Sequence, residues 1–478
     1  MWLYAFLGIP LLGLLMNFLL PVDLRKYVIV WVTGSNLVFF IGWFIVYHGS
    51  DRYITSSWVR FDPFSALITG ITVFVGFTAA LYSMHYLQLE QQQSTPNHEN
   101  HDNEYHVLFL IFYFALVGAA LWNNVFITWI FIEATALASV FLVDFHRDRH
   151  SSEASWKYLI LMEIGGILAL FGTILLVSGE PTGVSTTTWS GLLIAAPHIA
   201  PLQLKIGFAL VLAGYGAKAG LVPFNAWLPD AHSQAPSPTS AMLSAIKLNT
   251  AMYGIIMTMG VLVADHEAFY AHTLLIILGV LTVLVSTVMT VSQRDFKRLF
   301  AYSSSENMGL IAIGFALGPI GIFGAYLQMI NHSLIKSLLF YESGDLMAAA
   351  GSTQIRMLRG FAREFPFAGG ILILGFLAIA GAPPFGLFIS EFSILYALIH
   401  EKITWLAVLI LLFLAMLFAN FLIFALQMGF GQPSAAVRKF HYVHKKLGWE
   451  AMVPFGLHIA LTLAFGIFLP LLLLGVKS

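Results

Sequence analysis

Fourteen stretches of about 20 mostly apolar residues follow one another along this 478-residue chain, and that pattern decides what it can fold into. They lie at roughly 2–20, 27–48, 63–84, 106–122, 124–143, 157–177, 204–221, 240–263, 272–291, 299–316, 319–341, 366–399, 404–429 and 453–475. Each is long enough to span a bilayer as a helix. Composition agrees: 59% of residues are hydrophobic and 10% are charged, against about 25% charged in an ordinary soluble domain. Too few polar groups exist to cover a water-facing surface. The expected fold is all-α: a polytopic membrane protein of about 14 transmembrane helices. The first stretch has only a short segment before it and a span-length core, so it reads as an anchor and not a cleaved signal. Stretch 366–399 is too long for one straight span and contains Ala382-Pro383-Pro384, so it reads as one broken helix. The apolar run 106–143 is split at Asn123-Asn124.

Several function classes drop out. The net charge is −1, which offers no broad basic face, so no nucleic-acid partner is expected. The chain has no Cys, which removes disulfides, Cys-ligated zinc and Cys-held iron–sulfur clusters. No Walker A motif, no strand-borne G-x-G-x-x-G and no nucleophile triad occurs. Neither a cofactor nor a metal is therefore expected in this chain. Residues 87–106 are polar and rich in His and acid, and read as a solvated loop in preference to a metal site. Residues 432–450 hold a basic run that reads as a cytoplasmic surface element facing lipid headgroups or a partner.

Lys and Arg in the loops set the orientation. Taking alternate loops as one side, that side holds Arg25, Lys26, Arg147, Arg149, Lys157, Arg294, Lys297, Arg298, Arg356, Arg359, Arg363, Arg438, Lys439, Lys445 and Lys446. The other holds Arg52, Arg60, Lys205, Lys402 and Lys477. Fifteen against five makes the first side cytoplasmic and places both termini outside a bacterial or archaeal plasma membrane, which requires an even number of spans. Of the 23 Lys and Arg, only Lys218, Lys247 and Lys336 remain, all inside apolar spans. Glu133, Glu163 and Glu391 also sit in spans, with Glu306 and Glu342 near span ends. A charge at mid-bilayer costs at least about 2.5–3.5 kcal/mol, so such groups face the bundle interior, pair, or line water.

An internal repeat gives these charges a setting. Lys218-Ala219-Gly220-Leu221-Val222-Pro223-Phe224 and Ala380-Gly381-Ala382-Pro383-Pro384-Phe385-Gly386 share Ala-Gly-x-x-Pro-Phe. Both put Pro in the middle of an apolar span, where it breaks the helix. Interrupted helices at matching places in two halves mark inverted-repeat transporters. The expected division is 1–105 for helices 1–3, 106–265 for a first five-helix repeat (helices 4–8), 266–430 for a second (helices 9–13), and 431–478 for a cytoplasmic loop and helix 14. Helices 7 and 12 are the broken ones. Glu133, Lys218, Lys247, His332, Lys336 and Glu391 then supply alternating acid, base and imidazole for proton transfer. His332 and Lys336, four apart, share a helix face. The rival reading is that these charges are buried ion pairs that only fix helix register. The hydroxyls of Ser303, Ser304 and Ser305 either hold water near Glu306 or bond back to helix carbonyls. Gly165-Gly166 reads as a close helix contact.

At this point the residues resemble a known family. Lys218–Pro238, KAGLVPFNAWLPDAHSQAPSP, resembles the signature of the antiporter-like subunits of respiratory complex I, of multisubunit sodium/proton antiporters and of membrane-bound hydrogenases. Glu133-Ala134-Thr135 resembles that family's fifth-span glutamate. Asp295–Ser304 resembles its D-x-K-R-x-x-A-Y-S-S motif, and Asn331-His332 with Lys336-Ser337 its N-H-x-x-x-K motif. Pro383–Gly386 with Ser390-Glu391-Phe392 resembles its broken twelfth span. Within the family, the HSQAPSP wording, the short C-terminal end and Ser-Glu-Phe most resemble the hydrogenase-4 component F branch. The resemblance implies a proton-translocating subunit of a multisubunit redox-driven complex, of the hydrogenase-4/formate hydrogenlyase or complex I-like kind. Its partners would be other membrane subunits and, through them, a soluble redox or other catalytic arm. The resemblance also implies roles. Glu133 and Lys218 form the gating pair, and Lys247 relays protons through His332 and Lys336. Glu391 is the outer terminal site, and Lys297 shapes the second half-channel. Beyond what the resemblance implies, Glu163 and Glu306 are candidate additions to the relay, Glu163 being either an added proton site or an acid neutralised by burial. The chain departs from the family's pattern at Asn307, where His is common, and at Glu163 and Glu342. Two other functions share these residues: a sodium/proton antiporter subunit, and a proton-flux module of an energy-coupled inorganic-carbon uptake complex.

Cysteines introduced singly into this Cys-free chain report its orientation. Positions in 145–156 and 432–450 should label only from the cytoplasmic side and position 477 only from outside, using an impermeant thiol reagent on intact cells. Labelling of 432–450 from outside would invert the topology.

Overall fold

The computed structural model describes residues 2–47, 54–56, 58–93, 99–179, 185–441 and 448–475. Arg52, Lys445, Lys446 and Lys477 of the loop-charge count lie outside the described residues. In chain order the elements are α1 (Trp2–Leu19), α2 (Val22–Tyr47), a two-residue hairpin β1 (Ile54–Thr55) and β2 (Arg60–Phe61), α3 (Pro63–Gln93), α4 (Glu99–Gly118), α5 (Val125–Val143), α6 (Arg149–Val177) and α7 (Trp189–Ala195). Then come α8 (Pro201–Lys218), α9 (Trp227–Gln234), α10 (Ser237–Met242), a π-helical turn Leu243–Lys247, α11 (Leu248–Ala264), α12 (Ala268–Val291), α13 (Phe296–Phe315) and α14 (Pro319–Ala350). The last are α15 (Phe361–Glu364), α16 (Pro366–Ile379), α17 (Gly386–His400), α18 (Thr404–Gly429), α19 (Ala435–His441) and α20 (Trp449–Gly475). Every one of the fourteen apolar stretches carries helix. Among the described residues, eight helices are long and apolar enough to cross a membrane.

Local chemistry starts several of these helices. Asn124 caps α5, its side chain accepting from the Phe126 and Ile127 amides at 3.0 Å each, which is why the apolar run 106–143 divides there. Asp148 and Ser151 form a capping box at α6. Asp295 of the D-x-K-R stretch caps α13 through the Arg298 amide at 2.9 Å. The apolar surface is turned outward: Trp405, Val408, Leu412 and Met416 lie exposed along one side of α18. Such a stripe is stable against lipid and not against water.

The chain forms two compact units. The first comprises Met1–Ala80, Asn97–Trp227 and Ile246–Leu274. Within it, α6 and α8 meet backbone to backbone. A Cβ on Gly165 would come within 2.8 Å of the Gly214 carbonyl, and one on Gly172 within 2.6 Å of the Gly207 carbonyl. Small residues seven apart on each helix thus permit the contact, and van der Waals packing holds it where the hydrophobic effect is absent. The second unit comprises Leu81–Pro96, Leu228–Ala245 and Leu275–Ser478. Gly279 of α12 and Gly309 of α13 repeat the device, each facing the other's carbonyl. Val283, Ile313, Ile394, Leu398 and Ile410 belong to its apolar core.

One helix in each unit, α8 in the first and α16 in the second, ends before an interruption, and the two closures match bond for bond. After α8, the amides of Ala219, Gly220 and Leu221 donate to the carbonyls of Tyr215, Ala217 and Gly216. After α16, the amides of Ala380, Gly381 and Ala382 donate to those of Phe376, Ala378 and Leu377, the same three bonds at the matching positions of the repeat. This is a Schellman C-cap, with Gly220 and Gly381 both at positive φ in the left-handed position. The proline expectation is therefore incomplete. Pro223 and Pro384 prevent the helices from resuming, but glycine closes them. The first interruption spans residues 219–226, after which the chain is helical again as α9.

Three other expectations need correction. Residues 87–106 are mostly helix, with α3 running to Gln93 and α4 beginning at Glu99; only 94–98 lie outside the described residues. Lys297 is not a loop cation: it sits in the first turn of α13, 1% exposed. Glu306 and Glu342 are not near span ends. The extent of α13 from Phe296 to Phe315 centres Glu306, and α14 continues past Glu342 to Ala350.

The left-handed caps make a prediction. Gly220→Ala should cost about 1–2 kcal/mol, the penalty of an L-residue in that conformation. Gly381→Ala should cost more, since its Cβ would also strike the Glu391 carboxylate. Gly370→Ala, with open space at its Cβ, should be neutral or slightly stabilising. Thermal unfolding in detergent ranks the three; equal midpoints would refute the assignment.

Candidate functional site

In the first unit the fold brings Lys218 and Glu133 together. Lys218 is the last residue of α8, so the closing turn holds its side chain in the interior, fully buried. Its Nζ donates to Glu133 Oε1 and lies 3.0 Å from Oε2, and donates to the Met162 carbonyl at 2.9 Å. Glu133 reaches this point because Gly166 faces it from α6: any Cβ there would overlap the carboxylate. Trp129 Nε1 donates to the Gly166 carbonyl at 2.9 Å and fixes that approach. Glu163, one residue after Met162, lies within electrostatic range of both partners, with Oε1 buried and without a hydrogen-bond partner among the described residues.

Lys247 ends the π-helical turn, and an extra residue per turn commonly marks a functional position. Its Nζ donates to Tyr158 Oη and lies 3.3 Å from Met162 Sδ. It sits over the rings of Tyr158 and Trp227, 4.2 and 4.7 Å from their centroids. Two cation–π faces thus supply part of the solvation that water would give. Donor order can be assigned onward. Ser139 Oγ donates to the Thr135 carbonyl at 2.6 Å, which leaves it to accept from Tyr158 Oη at 2.5 Å. A continuous file runs Lys247, Tyr158, Ser139. Met162, touching both lysines, stands between file and pair.

In the second unit Lys297 donates to the Ala235 carbonyl at 2.9 Å, between α9 and α10. Lys336 donates to the Phe300 carbonyl at 2.7 Å and to Ser303 Oγ. His332, one turn before it and fully buried, has no hydrogen bond on either ring nitrogen among the described residues. Glu306 Oε2 accepts from Asn307 Nδ2 at 2.8 Å, and Asn307 Oδ1 accepts from Gln328 Nε2 at 2.8 Å. Ser390 Oγ then donates to Gln328 Oε1. This amide file leads from Glu306 to the residue beside Glu391, whose carboxylate lies against Gly381 at the interruption. Ser303 and Ser304 do bond back to the Phe300 carbonyl, at 3.3 and 3.0 Å, yet each also serves a second partner, Lys336 and Ser244 respectively.

The sequence-expected residues divide between the two units, and not all are joined by contacts: Lys297 bonds to the Ala235 carbonyl and not to the other expected residues. Glu133, Lys218, Lys247 and Glu163 belong to the first unit. Lys297, Glu306, His332, Lys336 and Glu391 belong to the second. Sequence reasoning missed Tyr158, Met162 and Ser139, and also Asn307, Gln328 and Ser390 as connectors. Tyr158 and Met162, four apart on the helix of Glu163, and the uncharged amides in apolar spans carried the available signal.

A model of the family "NADH:quinone oxidoreductase/Mrp antiporter, TM" matches residues 123–438. A "Hydrogenase-4 component F homolog" of Methylacidiphilum infernorum is 34% identical over 98% of this chain and 95% of its own. "NADH-quinone oxidoreductase subunit N" of Desulforudis audaxviator is 26% identical over 89% of this chain and 83% of its own. Among solved structures, a chain of the membrane-bound sulfane sulfur reductase, an archaeal respiratory membrane complex, superposes with a TM-score of 0.85 at 24% identity. The match covers 98% of this chain and 94% of that one.

The Gly166 contact supplies a direct test of this geometry. Gly166→Val should displace the Glu133 carboxylate and break its hydrogen bond with Lys218 in a cryo-EM map, while Gly370→Ala leaves it closed. An unchanged contact in Gly166→Val would contradict the packing described.

Proposed function

Since the chain belongs to the NADH:quinone oxidoreductase/Mrp antiporter membrane family, we propose that it is the proton-translocating subunit of a multisubunit redox-driven complex of the hydrogenase-4 or complex I-like kind. The observation that carries this reading is the Glu133–Lys218 pair, buried at the end of an interrupted helix. A pair of that kind can open and close. When Lys218 swings from Glu133, each charge loses its counter-ion, so a proton leaves the ammonium or joins the carboxylate. Closing the pair reverses the step. Lys247, Tyr158 and Ser139 offer hydrogen-bonded positions for the released proton in the first unit. Lys336, Glu306 and the Asn307–Gln328–Ser390 file offer them in the second, with Glu391 as the terminal acid.

In this reading the chain holds no redox centre of its own, which its lack of Cys supports. Partner membrane subunits and a soluble arm would supply the driving reaction and set the pair's state by conformation or field. The charge bias supports a cytoplasmic loop side and outer termini in a bacterial or archaeal plasma membrane. Sodium/proton exchange is the rival reading, because the same family description takes in the Mrp antiporter.

Proton uptake by vesicles holding the intact complex tests the proposal, with assembly checked on native gels. Lys218→Ala, Glu133→Gln and Glu391→Ala should each assemble and reduce uptake by about 100-fold or more, as loss of a positioned proton-transfer group does. Glu153→Ala and Glu401→Ala, in exposed positions, should retain it. Full uptake by assembled Lys218→Ala and Glu133→Gln would leave the pair a register device; flux that requires sodium would favour the antiporter reading.

A further inference from the structure

A third group of titratable side chains lies in the second unit, outside both files. Glu342 of α14 is fully buried, and neither carboxylate oxygen has a hydrogen-bond partner among the described residues. Three residues on, and so on the same helix face, Asp345 meets His85 Nε2 at 2.8 Å through Oδ1; its Oδ2 is buried and unpartnered among the described residues. His85 comes from the C-terminal part of α3. There, Tyr82 stacks on Tyr341 with centroids 4.8 Å apart and lies within electrostatic range of both carboxyls. Gly344 makes the space, since a Cβ there would strike Tyr82 Oη. One turn further along α3, Tyr86 Oη donates to Glu90 Oε1 at 2.5 Å, and Glu90 is only half-buried. From α20, Glu450 lies within electrostatic range of His85, and the His458 ring packs on Tyr341 at 5.6 Å.

This arrangement is costly unless it does something. A buried acid without partners gives up solvation for no bond, and an apolar residue of the same size would remove that cost. Glu342 and Asp345 with the His85 imidazole place three groups that can carry a proton close together. Glu90 lies one turn beyond Tyr86, and Tyr86 follows His85, so the three lead from a half-exposed position inward along α3. Glu342 lies six residues along α14 from Lys336, an axial rise of about 9 Å at 1.5 Å per residue, so a proton passing between them takes a chain of waters and not a single bridging one.

We propose that Glu342, Asp345 and His85 form a proton-collecting site, filled from the side of Glu90 and discharging toward Lys336. It rests on the proton-translocating reading above. A proton arriving on His85 is shared with Asp345. It then passes to Glu342 as an O–H bond forms and an N–H bond breaks, and on through water, with no change of oxidation state. The arginines that follow α14, Arg356, Arg359 and Arg363, mark this end of the helix as cytoplasmic by the loop charge bias, so the site collects from that side.

The test uses the intact complex in vesicles, with uptake measured across pH. Where protons are scarce, a collecting group matters most. Glu342→Gln and His85→Gln should therefore lower uptake by about tenfold at alkaline pH and much less at acid pH, and Glu342→Asp should restore most of it. Glu342→Met removes the unpartnered acid, so it should assemble at least as well as the parent while showing the same alkaline defect; it decides the matter if the Gln variant fails to assemble. Lys218→Ala serves as the reference. If it abolishes uptake while the Glu342 variants pump like the parent at every pH, the collecting site is overturned and the functional reading stands. If Lys218→Ala also pumps normally, the functional reading itself fails.

Discussion

A bilayer offers no water to a backbone or a charge, and the rest of this structure follows from how the chain meets that constraint at Lys218. The lysine ends α8 where glycine has turned the helix off. Its ammonium is then satisfied by Glu133 and the Met162 carbonyl, while Trp227 Nε1 covers the Ala217 carbonyl at 2.8 Å. Backbone freed by the interruption finds partners, as irregular backbone inside a membrane must. Small residues make the arrangement possible from outside the pair. Gly165, Gly172, Gly207 and Gly214 let α6 and α8 touch, and Gly166 admits the carboxylate.

The two interruptions share every capping bond but not their charges. Lys218 precedes the first, whereas the equivalent position before the second is Ile379, and the acid that faces it is Glu391. The repeated backbone device therefore carries opposite charge in its two copies.

Much of this was legible in the sequence, for identifiable reasons. Apolar runs located the long helices because lipid demands continuous apolar length. Asn123-Asn124 marked the division of 106–143 because a short polar side chain caps amides; Asp148 and Asp295 cap α6 and α13 in the same way but were not read as helix starts. The costly charges stood out against an apolar background. What stayed hidden depends on tertiary placement. Tyr158 and Ser139 are ordinary helix residues until Lys247 arrives beside them. Asn307 and Gln328 are isolated amides until they meet. Lys297 counted as a loop cation, since its burial depends on the Ala235 carbonyl left open between α9 and α10. Glu342 stood out as a charge but was placed at a span end, because nothing local says that α14 continues to Ala350.

The central claim is that the Glu133–Lys218 contact is a moving part. Cryo-EM of the intact complex at rest and under turnover tests it most directly. At rest the contact should be closed, near the 3.0 Å seen here. Under turnover a distinct particle class should show Lys218 Nζ beyond hydrogen-bonding distance of Glu133. A contact closed in every class under turnover, in a complex that is pumping, would contradict the account.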